Sequence, residues 1–166
     1  CRKPAIARGP DLRTPRSLPA PLRDNSSVDS EEGWNELRAG RWEAALAAFA
    51  GAEETAATLE GLSWAAWWLD DADAVFDARE RAYRAFRAAA EPAAAGAVAA
   101  WLASDFLEFR GEDAVARGWL ERGRRMLDGL PESEEHGWLA LHEGSYATNV
   151  VGDLEQAAAL AAKAAA

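Results

Sequence analysis

Histidine, cysteine and lysine, which often act as metal ligands, proton carriers or nucleophiles, are scarce in this sequence. The two histidines, His136 and His142, lie six residues apart. Histidines that share a metal on one helix face are spaced three or four residues apart, so this pair does not fit a metal site. The segment "HEG" at 142–144 lacks the second histidine of a zinc protease. We predict surface or hydrogen-bonded histidines and no bound metal.

Other catalytic signatures are also missing. The lysines are Lys3 and Lys163, and neither stands in a glycine-rich phosphate-binding loop. Cys1 has no neighbouring base. The carboxylate pairs at 53–54 and 134–135 are adjacent residues, which do not face each other on a helix, so neither is a natural acid/base dyad. We predict a protein that is not an enzyme and needs no cofactor.

The segment "WAAWWLDDADAVF", residues 64–76, combines three tryptophans with three aspartates. It lacks the central glycine and distal glutamate of an EF-hand calcium loop. Similar short breaks recur at "RAGRW", "FRGED" and "VVGDL". We predict that all four are turns between helices, with Gly40, Asp71, Gly111 and Gly152 at their centres, and that aspartate caps the next helix.

The spacing of the four turns, about 30 to 40 residues, is typical of helical-hairpin repeats. We therefore predict an all-α solenoid of about four antiparallel hairpins. A capping box of Asp29 with Glu32 should open the first helix. The predicted helices are 31–39, 42–50, 56–69, 72–90, 93–109, 112–128, 134–150 and 153–165.

Charge separates residues 1–28 from the rest of the chain. This proline-, arginine- and serine-rich leader carries six basic and two acidic residues, a net charge of +4, so residues 29–166 carry −14 of the total of −10. We predict a disordered leader followed by a repeat domain, 29–166. The acidic domain should avoid nucleic acid and anionic membranes, although the basic leader could touch nucleic acid. A single cysteine and no apolar run of membrane-spanning length favour a cytoplasmic protein.

Residues that match a known repeat follow the first turn. Gly40, Trp42, Ala45 and Phe49 resemble the tetratricopeptide repeat, and the later units match it more loosely. The segments "GRWEAALAAF" and "LEGLSWAAWWLDDADAVFDARERAYRAF" resemble the helical-repeat region of actinobacterial LuxR-type transcriptional regulators. "WLASDFLEFRGEDAVARGWLERGRRML" and "EHGWLALHEG" share this likeness.

In that family a DNA-binding helix-turn-helix follows the repeats. This sequence ends at "LAAKAAA" without one, so we expect a domain truncated at its C-terminus, and DNA binding is not carried over.

First helices of stacked hairpins line a concave surface. Positions ten, six and three before each turn centre share one helix face. These positions hold a mixture of aromatic and polar residues: Trp34 and Leu37, then Trp68, then Trp101, Asp105 and Glu108, and finally His142, Tyr146 and Asn149. Such a mixture is typical of ligand grooves, although packing between repeats is the alternative for the tryptophans. Trp64 and Trp67 fall on the packing side.

The predicted function is a non-catalytic interaction or ligand-sensing domain of a LuxR-type regulator, with a protein, a peptide or a small effector in the concave groove. A free-standing adaptor is one alternative. A small helical enzyme that uses Asp105, Glu108 or His142 is the other. Arginines in "RERAYRAFR" and "RGWLERGRR" could bind an acidic partner, but pairing with nearby glutamates on the same helix explains them more simply.

Overall fold

A computed structural model describes residues 28–165 of the chain. Within that range the structure consists of helices joined by turns and short loops and contains no strand, which confirms the all-α class. The helices are α1 Val28–Arg38, α2 Trp42–Gly51, α3 Ala56–Trp68, α4 Ala72–Ala88, α5 Pro92–Asp105, α6 Asp113–Leu127, α7 Glu134–Tyr146 and α8 Leu154–Ala164. The leader predicted to be disordered, with Cys1, lies outside the described residues except for Val28, which begins α1.

Two helices end in an unpredicted way. Single π-helical segments, Phe106–Arg110 and Ala147–Val151, extend α5 and α7 up to their glycine turns. A π segment inserts an extra residue into a helix, and such insertions are frequent at functional sites. Asp105 is the residue directly before the first of them.

The predicted aspartate caps at two turns are confirmed. The Asp71 carboxylate accepts a hydrogen bond of 3.1 Å from the Ala74 backbone N–H, and Asp153 accepts one of 2.9 Å from Gln156. The predicted cap at Asp29 is wrong, because α1 already includes this residue.

The second turn is centred one residue earlier than predicted. Gly40, Gly111 and Gly152 adopt the left-handed conformation, with φ between 66° and 77°. In the second turn it is Asp70 that takes this conformation, at φ 59°, and Asp71 is the capping residue after it. Aspartate tolerates this region better than most side chains do. The groove positions predicted on α3, which are counted back from Asp71, are therefore displaced by one residue.

Consecutive helices pack against each other along the chain, and contacts are most extensive within the pairs α1/α2, α3/α4, α5/α6 and α7/α8. Helix α1 also contacts α3, and α5 contacts α7. Buried side chains form two clusters. The larger involves α3 to α7. The smaller joins α1, α2 and α3 around six buried residues: Trp34, Leu37, Ala45, Phe49, Trp64 and Ala65.

Phe49 fills the space between α1 and α3 in the smaller cluster. A Cβ atom built on Gly61 would lie 2.3 Å from Phe49 Cζ, and one on Gly33 would lie 2.6 Å from Phe49 Cε1. Both distances are too short for non-bonded carbon atoms. Glycine at these positions therefore allows the phenyl ring to contact the backbones of both helices.

We expect Gly61→Ala to lower the free energy of unfolding by about 1–3 kcal/mol, because the added methyl overlaps a buried ring. Gly51→Ala is the matched control, since a Cβ there meets nothing within 4 Å. That change should be neutral or stabilise the fold by up to about 1 kcal/mol through the unfolded chain. Urea unfolding measures both variants, and equal effects would contradict the close approach of Phe49 to α3.

Candidate functional site

A buried arginine is the centre of the candidate site. Arg79 lies on the apolar stripe of α4, and only 2% of its surface is exposed. A charge in this position needs a buried partner. Arg79 Nη1 donates to Oδ2 of Asp105 on α5 at 2.5 Å, and Asp105 is 1% exposed. The ion pair ties α4 to α5.

The same guanidinium also reaches α3. Arg79 Nε donates to Ser63 Oγ at 3.2 Å, and the serine hydroxyl in turn donates to the Glu60 carbonyl oxygen at 2.6 Å. Ser63 and Glu60 are both buried. Three helices therefore meet at one charged side chain, and a change at that side chain affects the packing of all three.

Two indole rings surround the guanidinium. The Arg79 Cζ atom lies 4.6 Å from the Trp64 ring centroid and 5.6 Å from that of Trp101. The two rings meet edge to face at 4.6 Å. Both distances from the arginine lie in the range of cation–π attraction. Trp64 is buried, whereas Trp101 is partly exposed, so Trp101 connects the ion pair with the molecular surface.

Helix α7 contributes aromatic side chains to the other side of Trp101. The His142 imidazole lies 4.4 Å from the Trp101 ring, measured between centroids, and Trp138 lies 5.3 Å from it. His142 is 7% exposed. Burial, together with the positive charge of Arg79, lowers the pKa of His142 to about 4, so the imidazole is neutral at pH 7.

The charge balance of the ion pair depends on pH. Burial raises the pKa of Asp105 to about 6, against the opposing effect of the Arg79 charge and hydrogen bond, and nearby Glu108 raises it further. At pH 7 the carboxyl is therefore largely ionised. It then neutralises the charge of the arginine.

Two buried nitrogen atoms of the cluster have no hydrogen-bond partner among residues 28–165. They are Arg79 Nη2 and His142 Nε2. Buried polar atoms in native proteins are usually paired, and leaving one unpaired costs about 1–3 kcal/mol. Both atoms belong to side chains that contact Trp101. An acceptor group beside this tryptophan could bind Arg79 Nη2, and the tautomer of His142 decides whether its Nε2 atom would bind an acceptor or a donor.

The structure gathers three of the predicted groove residues into this cluster: Trp101, Asp105 and His142. Glu108, at the edge of the cluster, accepts a hydrogen bond of 3.2 Å from Ser104. Asn149 is exposed and donates to Ser145, also at 3.2 Å. These two polar residues lie outside the buried part.

The remaining predicted groove residues lie elsewhere. Trp34 and Leu37 are 3% and 0% exposed, so their expected placement on an open groove is wrong, and they pack in the core between α1, α2 and α3. Tyr146 packs against the larger core cluster. Trp68 stacks on Trp42 at 4.8 Å, away from the arginine.

Because the second turn is centred at Asp70 and not at Asp71, the predicted groove contained Trp68 instead of Trp64. Counted back from Asp70, the groove positions hold Glu60, Trp64 and Trp67. Trp64 contacts the guanidinium with its ring, and the Glu60 carbonyl oxygen accepts the hydrogen bond from Ser63. Trp64 is also buried, as its predicted position on the packing side requires. Neither Arg79 nor Ser63 was among the predicted site residues, although an arginine within an otherwise apolar helical stripe indicates a buried counter-charge.

A cavity of about 720 Å³ lies beside the cluster, between α7 and the end of α8. Its lining includes Trp138, Leu141 and Lys163 but no residue of the arginine network. Trp138 borders both the cavity and Trp101. The arginine network therefore lies next to this cavity and not inside it.

Several structural features bear on metals and membranes. The other histidine, His136, makes hydrogen-bond contacts with Leu127 O at 3.2 Å and Ser133 Oγ at 3.1 Å, apart from His142. Residues 28–165 contain no group of three or more histidine, cysteine or acidic side chains arranged to hold a metal ion.

Among the helices of this range, none has the length and apolar character that crossing a bilayer requires.

Comparison with protein-family models, curated proteins and solved structures found no match to this chain.

We expect the His142 imidazole to remain neutral down to about pH 4, because burial and the Arg79 charge disfavour the protonated form. The unfolded chain takes up this proton near pH 6.5, so the histidine's contribution to stability falls as the pH drops from 6.5 to 4. Asp105 acts in the opposite direction. Its folded pKa lies above the unfolded value of 3.8, so its contribution falls as the pH rises from 3.8 to 6.

Because the two effects oppose each other, the test must resolve single sites. An NMR titration of the imidazole C–H signals measures this pKa, and the signal that disappears in His142→Gln identifies the residue. A midpoint near 6.5 for that signal would contradict the buried neutral histidine.

Proposed function

We propose that this chain is a non-catalytic ligand-sensing or protein-interaction domain whose ligand contacts Trp101. The observation that carries the proposal is the pair of buried nitrogen atoms without partners, Arg79 Nη2 and His142 Nε2, on side chains that contact this partly exposed tryptophan. An aromatic surface beside a few fixed polar atoms is the usual composition of a small-molecule or peptide site.

The architecture behind this proposal is a tetratricopeptide-like solenoid of four helical hairpins. Its support is the repeated turn: a left-handed residue, at Gly40, Asp70, Gly111 and Gly152, is followed by the N-cap of the next helix. The extensive contacts within successive helix pairs also favour it. In such a solenoid, Trp101 and His142 lie on the concave side.

The proposed biological setting is a cytoplasmic LuxR-type transcriptional regulator, and it rests on the sequence resemblance described above. In that setting the repeat domain would sense an effector or a protein, and a separate helix-turn-helix would bind DNA. The acidic repeat domain itself would make no contact with nucleic acid, because its charge repels phosphate.

Ligand binding would act through the helices that meet at Arg79. An acceptor bound to Arg79 Nη2 and to His142, in the tautomer that carries its proton on Nε2, would connect α4 with α7. Both side chains contact Trp101. Such an acceptor would therefore favour arrangements in which α4, α5 and α7 are held together. A ligand that binds one packing arrangement better than another shifts the population towards it, and an attached output domain can respond to that shift.

A fragment screen tests the location of the site. We expect aromatic fragments that carry a carbonyl or carboxylate to bind, and Trp101→Ala to weaken the best of them about tenfold or more, which corresponds to about 1.4 kcal/mol. Trp42→Ala is the matched control, since this tryptophan is also half-buried but lies on α2 against Trp68. Isothermal titration calorimetry measures both variants. Equal weakening in the two, or none in Trp101→Ala, would contradict the proposed site.

The regulator setting has a separate test. An antibody against residues 29–166 measures the mass of the native protein in its source cell. A mass far above 17.8 kDa supports a larger regulator. A mass near that value supports a free-standing adaptor instead.

A further inference from the structure

A second group of arginines is held in place by aromatic rings on α4 and α6. The Cζ atom of Arg87 lies 5.6 Å from the Tyr83 ring centroid, and that of Arg122 lies 4.7 Å from the Trp119 ring. The two rings meet edge to face at 5.1 Å. The four side chains therefore form one row that crosses from α4 to α6, and we call it the arginine–aromatic row.

Arg122 also lies close to a glycine of its own helix. A Cβ atom on Gly118, one turn earlier on α6, would lie 3.4 Å from Arg122 Nη1. The arginine thus folds back along its own helix and over the Trp119 ring. Restricting a guanidinium in this way reduces the entropy that it loses when it binds a partner.

Within the described residues, these two arginines have no acidic partner, in contrast to Arg81 and Arg84 on α4. Arg81 pairs with Asp77 at 2.7 Å and Arg84 with Glu80 at 3.5 Å, as expected for arginine and acidic residues on one helix. Among residues 28–165, no carboxylate lies within 4.0 Å of the guanidinium of Arg87 or Arg122, although acidic residues outnumber basic ones in the chain by 28 to 18.

A simple rearrangement of side chains does not supply a partner for Arg122. The residues three and four positions away are Gly118, Trp119, Arg125 and Met126, none of them acidic. Pairing within the helix, the simpler explanation for these arginines, therefore accounts for Arg81 and Arg84 but not for Arg122. Arg125 lies three residues from Arg122, so the α6 end of the row carries a second arginine.

We propose that the arginine–aromatic row binds an acidic segment of a partner protein. Carboxylates of that segment would form charge-assisted hydrogen bonds with Arg87 and Arg122 while apolar atoms cover the exposed part of Trp119. Two or three arginines match the charge of a short acidic peptide. A DNA duplex or an anionic bilayer presents a much denser charge, which the net charge of −10 on this chain would repel.

Fluorescence anisotropy with a labelled peptide of alternating glutamate, leucine and glycine tests the proposal on the full chain. We expect the double charge reversal Arg87→Glu with Arg122→Glu to weaken binding about tenfold or more, because it removes both anchoring cations. The control is Arg38→Glu with Arg41→Glu on exposed arginines of the first helix pair. This control changes the net charge by the same amount as the first double reversal and leaves both the basic leader and the arginine–aromatic row intact. Binding of the peptide should therefore weaken much less. A charge-preserving variant, Trp119→Leu, should weaken binding by a smaller factor than the double reversal.

Circular dichroism verifies that each variant is folded. Equal loss in the two double reversals would overturn the proposal, because only net charge would then matter. Two further results would overturn it by identifying another occupant. One is tighter binding of a DNA duplex with the same dependence on Arg87 and Arg122. The other is a dimer, detected by sedimentation, that these reversals abolish. The fragment-binding site at Trp101 is unaffected by any of these outcomes.

Discussion

The buried ion pair between Arg79 and Asp105 is the interaction on which the centre of this structure depends. Removing both charges from water costs several kcal/mol each, and their attraction offsets that cost only when geometry and additional hydrogen bonds are favourable. Here a 2.5 Å contact, a hydrogen bond to Ser63 and the face of Trp64 supply those conditions. The positions of α3, α4 and α5 are therefore coupled, because α3 and α5 each contribute a group that the arginine on α4 needs. Such a network specifies one arrangement of helices more strictly than apolar contacts of the same area would.

The need of buried Arg79 for a counter-charge and hydrogen-bond partners explains why polar groups lie among tryptophans. The guanidinium has more donors than Asp105 and Ser63 use, and Nη2 remains without a partner among the described residues. His142 is kept neutral by the same burial and by the same positive charge. A ligand at Trp101 would therefore meet the Arg79 Nη2 donor beside a neutral imidazole. Helix α4 contributes to both proposed surfaces, since Arg79 belongs to the buried cluster and Arg87 to the arginine–aromatic row. The difference between these two arginines is burial: one must have an internal counter-charge, and the other is free to bind an external one.

Much of the fold could be predicted from local sequence signals, because turn glycines, capping aspartates and apolar spacing act over a few residues. The ends of α2, α3 and α6 lie within one residue of the predicted bounds. The error at the second turn arose because Asp70 and Asp71 are chemically identical, and only the backbone reveals which one takes the left-handed conformation. That single displacement replaced Trp64 by Trp68 in the predicted groove. The π segments after Asp105 and Tyr146 have no comparable local signal. The partner of Arg79 was also beyond sequence reasoning, since 26 residues separate it from Asp105 and only the packing of α4 on α5 joins them.

A double-mutant cycle on Arg79 and Asp105 tests this account most directly. The free energy of unfolding is measured by urea for the wild type, Arg79→Met, Asp105→Leu and the double variant. Each single change should cost about 3–5 kcal/mol, because it leaves a buried charge without its counter-charge, and the double variant should cost much less than the sum of the two. Losses that simply add would contradict the account, since the arginine and the aspartate would then stabilise the fold independently.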